Sequence, residues 1–187
     1  MIWPVFIAAL WLAVGLELGL RDSIQFGPNS APSLTLILVT YVALWAPRLH
    51  ALYAALIAGV CLDLLGAQVA PEATASATTL GPTALGAALG AFTVLTARAM
   101  VERANVLALP AMALALCVLT NLVVVFCYAI KGLYDPAVAF NAMPELFDRL
   151  VSSLYTAVAA VPVGLVMTPL ARLFGFSTST GRRSRGW

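Results

Sequence analysis

"LIAGVCLDLLGAQ", residues 56–68, holds one acid, Asp63, in a run of Leu, Ile, Val, Ala, Gly and Cys that closes on Gln68. Whether this run is the core of a soluble domain or a membrane span decides the fold, and the rest of the chain supplies the answer. Of its 187 residues 62% are hydrophobic and 10% charged, with a mean hydropathy of +0.98, whereas a soluble domain carries ~25% charged residues. Long apolar runs recur along the whole chain and leave no interval for a soluble domain of ~100 residues. The composition is that of an integral membrane protein. In that setting Asp63 costs about 2.5–3.5 kcal/mol on insertion scales, a cost that some contact must recover.

A spanning helix needs ~20 predominantly apolar residues. Six candidates emerge between breaks at charge, proline and turn clusters. They run from about Ile2 to Leu20, across "SLTLILVTYVALWAP" (33–47), from Leu49 to Gly66, Pro82 to Ala97, Val106 to Ile130 and Leu150 to Leu170. The second is the shortest. Pro82 falls at a first helical turn, where a missing N–H costs nothing, while Pro110, Pro162 and Pro169 lie within spans and predict kinks. A signal peptide would need a basic start, and no Lys or Arg precedes Arg21, so the first segment is expected to remain as a span. The expected fold is an all-α bundle of six transmembrane helices over residues 1–173, followed by a basic tail, 174–187.

Orientation follows from the basic residues, which stay cytoplasmic when they lie in short loops. Six spans put Arg48, Arg98, Arg103, Arg172, Arg182, Arg183 and Arg185 on one side and only Arg21, Lys131 and Arg149 on the other. Both termini are therefore expected in the cytoplasm. The tail "GRRSRGW" reads as a topogenic signal attracted to anionic lipid, at about 1 kcal/mol per basic residue. It is too small a basic surface for a nucleic-acid site.

Helices in a bilayer associate through close packing, which small residues at four-residue spacing permit. Ala51, Ala55, Gly59 and Asp63 share such spacing in the third span, Gly86 and Gly90 in the fourth, and Ser152, Thr156, Ala160, Gly164 and Thr168 in the sixth. Each seam either joins helices of the bundle or receives a helix of another protein; the sixth span is the longest candidate for the second role. Gly59, Asp63 and Gly66 share one helix face, so Asp63 points into protein. It marks a partner contact or transport path, or else it accepts hydrogen bonds and orders a helix end. Glu17 reads as an i,i+4 partner of Arg21, and Asn121 as an interhelical hydrogen-bonding residue worth ~1 kcal/mol.

Catalytic signatures are missing from the sequence: no GxSxG, HExxH or phosphate-binding glycine loop occurs. Cys61, Cys117 and Cys127 lie in apolar runs without CxxC spacing and read as packing residues. The lone His50 has no second His or Cys beside it to hold a metal. Neither enzyme activity nor a cofactor is expected.

The segments "ALIAGVCLDLLGA" (55–67) and "LGPTALGAALGAFTVLTAR" (80–98) resemble the bacterial MreD family of small six-helix membrane proteins of the cell-shape machinery. Gly59, Asp63 and Leu64, then Leu80, Gly81, Ala84 and Leu85, stand where that family carries G, "DL", "LG" and "AL". The link between the acid and "LG" is longer here, as if the outer loop carried an insertion. The resemblance implies a noncatalytic scaffold subunit of the elongation complex. Its partner would be an MreC-like bitopic protein and, through it, the MreB filament, RodA and a penicillin-binding-protein synthase. That family's fold is similar to the S components of ECF transporters, which makes a small-solute-binding component the rival expectation.

Overall fold

A computed structural model describes residues 1–24, 31–65, 80–100, 107–134, 142–170 and 173–175. All regular structure among them is helical, in six helices: α1 (Trp3–Ile24), α2 (Leu34–Trp45), α3 (Arg48–Leu64), α4 (Pro82–Ala97), α5 (Ala108–Tyr134) and α6 (Ala142–Leu170). Three of them, α1, α5 and α6, are long and apolar enough to cross a membrane.

Helix α2 organises the rest. Its 12 residues make a rod of ~18 Å at 1.5 Å per residue, well short of the ~30 Å hydrocarbon core of a bilayer. Every residue from Thr35 to Leu44 is buried, as expected of a helix that is apolar all round. It packs on each of the other five helices, while α3, α4, α5 and α6 also pack on one another in chain order. The centre thus contains Ile37, Val39, Val42 and Ala43, none of them exposed. Helix α1 packs chiefly on α2 and is fixed at its start by the N–H of Ile2, which donates to the carbonyl of Phe174 at 3.1 Å.

Small residues allow the close approaches in the α3–α4–α5 wall. A Cβ on Gly59 would strike the Ala84 backbone, 2.8 Å from its nitrogen; one on Gly86 would lie 2.8 Å from the carbonyl oxygen of Thr120, and one on Gly90 would lie 2.9 Å from the Leu116 side chain. By contrast, a Cβ on Gly15 or Gly19 of α1 meets nothing within 4 Å.

Several expectations need correction. The long loop expected over residues 131–149 is mostly helix. Helix α5 continues to Tyr134 and α6 begins at Ala142, eight residues before the apolar run; the Arg149 Nε to Glu145 Oε1 contact of 2.8 Å adds i,i+4 support in that polar opening. Pro110 falls in the first turn of α5, where its missing N–H leaves no bond to break and so no reason to kink. Phe174, assigned by sequence to the tail, packs against the core beside Tyr41, with ring centroids 5.9 Å apart. Gly66, the side chains of Arg21 and Thr168, the 66–79 loop and the tail from 176 lie outside the described residues.

The glycine contacts predict a contrast. Gly59→Ala forces backbone to move and should lower stability by about 1–3 kcal/mol, whereas Gly15→Ala should leave it unchanged or raise it slightly through helix propensity. Thermal unfolding of the purified variants in detergent measures the difference, and equal melting temperatures for the two would contradict this packing.

Candidate functional site

Helix α4 starts at Gly81, whose φ of +124° suits a residue without Cβ. Glycine has no side chain to cap the helix, yet the first N–H groups of any helix lack intrahelical acceptors. Asp63, at the end of α3, supplies them. Its Oδ2 accepts from the N–H of Gly81 at 2.9 Å and of Ala84 at 3.3 Å, and its Oδ1 accepts from the N–H of Thr83 at 3.2 Å. Pro82 has no N–H to satisfy, so one carboxylate from a neighbouring helix completes the whole first turn. The same approach brings Gly59 against Ala84. Asp63 is 6% exposed, and a buried carboxylate at a helix N-terminus is favoured by the macrodipole as well as by its three donors.

Both ends of α2 are finished in the same manner. At its N-terminus Glu17 of α1 accepts from Thr35 Oγ1 at 2.7 Å, Thr35 N–H at 3.0 Å and Ser33 Oγ at 3.3 Å. The N–H of Ser33 donates to Thr156 Oγ1 of α6 at 3.1 Å. At its C-terminus the Arg98 guanidinium donates to the carbonyls of Ala43 at 3.1 Å and Ala46 at 2.7 Å. An acid thus stands at the positive end of the helix dipole and a base at the negative end. Glu17 is thus engaged at the start of α2, and its expected pairing with Arg21 falls on a side chain outside the described residues.

The seams of the sixth and fourth spans, candidates for receiving a partner's helix, are filled by this chain's own elements. Ser152 Oγ donates to the carbonyl of Ala31 at 2.7 Å, Thr156 meets α2, Ala160 is fully buried, and a Cβ on Gly164 would press on Leu109 of α5. Gly86 and Gly90 face α5 likewise. Asn121 Nδ2 donates to Ser153 Oγ at 2.8 Å and to the Arg149 carbonyl at 3.3 Å, joining α5 to α6. Asp63 and Gly59 are brought together with α4; neither is brought near the α6 residues by any of these bonds. Among the described residues no three His, Cys, Asp or Glu side chains converge as a metal site would require.

Sequence reasoning missed the roles of Glu17 and Arg98. The signal available was length and composition: a helix of 12 residues that is apolar all round is buried, and its end groups then need partners from the rest of the fold. Compared with known proteins, the chain matches no family model, no curated protein and no solved structure.

The geometry at Asp63 distinguishes two substitutions. Asp63→Asn keeps one carbonyl oxygen, enough for one or two of the three donors, and should cost about 1–3 kcal/mol for each donor left unmade. Asp63→Leu leaves all three unmade at about 1–3 kcal/mol each, so the folded protein should largely disappear. Amount and melting temperature of the two proteins check this; an Asn variant as damaged as the Leu variant would show that the negative charge, and not acceptor geometry, holds the site.

Proposed function

We propose that this chain is a noncatalytic scaffold subunit of the bacterial cell-wall elongation complex, held in the cytoplasmic membrane by six helices with both termini cytoplasmic and engaging an MreC-like bitopic protein. The observation that carries the reading is the unity of the motif resembling the MreD family. Gly59, Asp63, Gly81 and Ala84 are separated in sequence but form one contact, in which the acid caps the helix that the glycine approaches. Residue types that look like a family signature are those on which the α3–α4 pairing depends. The six-span arrangement is supported by the three long helices and by the charged groups that finish the short α2 and α4, because backbone ends at membrane depth need such partners.

A scaffold reading also suits where the acids are used. Asp63 and Glu17, the intramembrane acids that a solute-binding component would offer to its ligand, are both engaged at helix ends. The leucines of the same motif face outward instead: Leu64, Leu80 and Leu85 are each more than half exposed and flank the junction of α3 and α4. In this reading that edge meets the partner's membrane segment, while the glycine seams hold the subunit itself together.

Two measurements test the proposal. Single cysteines at Ser179 and Asn141, in a cysteine-free background, should respectively resist and accept a membrane-impermeant thiol reagent on intact cells; labelling at 179 from outside would overturn the orientation. The Leu64→Ala, Leu85→Ala double variant should accumulate normally yet copurify with severalfold less of the MreC-like protein. Undiminished copurification would move the contact elsewhere, and absence of any such partner in a crosslinked membrane preparation would remove the scaffold reading.

A further inference from the structure

We draw no further inference here: the strongest candidate, the crevice of about 540 Å³ that α1 and α6 leave between them over α2, is lined by apolar side chains throughout, and nothing in the structure shows what covers it.

Discussion

A helix buried from Thr35 to Leu44 must be given hydrogen-bonding partners for its ends by the rest of the fold, and α2 sets this constraint for the molecule. Its N-terminal donors are taken by Glu17 and Thr156, its C-terminal acceptors by Arg98. These contacts draw on α1, α6 and α4, so three helices are located by the ends of a fourth. An unmade hydrogen bond of a buried backbone group costs about 1–3 kcal/mol. The charged caps therefore fix register, and the glycines and alanines permit the approach that the caps demand.

The α3–α4 junction repeats this logic on a smaller scale. Asp63 can reach three N–H groups only because Gly59, one turn earlier, lets the start of α4 come against α3. Any side chain at 59 would push Ala84 away and lengthen the bonds to Asp63. The acid and the glycine consequently act as one unit, and disturbing either reaches the other. No transport function is needed to explain why a carboxylate lies in the run at 56–68.

Much of this was legible in the sequence. Apolar length located all six helices, and the four-residue spacing of Gly59 and Asp63 identified the inward face of α3. The reading stopped at questions of partnership. Nothing local distinguishes a glycine seam that meets a helix of the same chain from one that meets another protein, and the structure assigns Gly86, Gly90 and Gly164 to internal contacts. The capping roles of Glu17 and Arg98 are hidden for a related reason: a nearby opposite charge gives Glu17 a local account, and Arg98 stands where an apolar run ends. Several of the groups they cap, 18 to 55 residues away, are backbone N–H and C=O groups that carry no side-chain signature. The start of α6 was missed because an apolar-run criterion ends where the helix becomes polar, although Glu145 and Arg149 can continue it.

This division between inside and outside constrains how the molecule can associate. The polar atoms of Asp63, Glu17, Thr156 and Arg98 are engaged in holding helix ends, so the interior is specified by directional bonds with few alternatives. The outer faces of α1, α4 and α6, in contrast, present Trp11, Leu12, Leu89, Leu154 and Leu165, which pack equally well on lipid chains or on another apolar helix. Any association of these faces must then be decided by shape and by the few places where the outline is not smooth. The α1–α6 crevice is such a place, and the leucine-lined edge of α3 and α4 is another. They lie on different helices of one rigidly capped bundle. Helix α1 is held at one end by Glu17 and at the other by Ile2, and between them it buries Phe6, Leu10, Ala13 and Val14 in the core, so its outer face is free to meet other surfaces without disturbing its position.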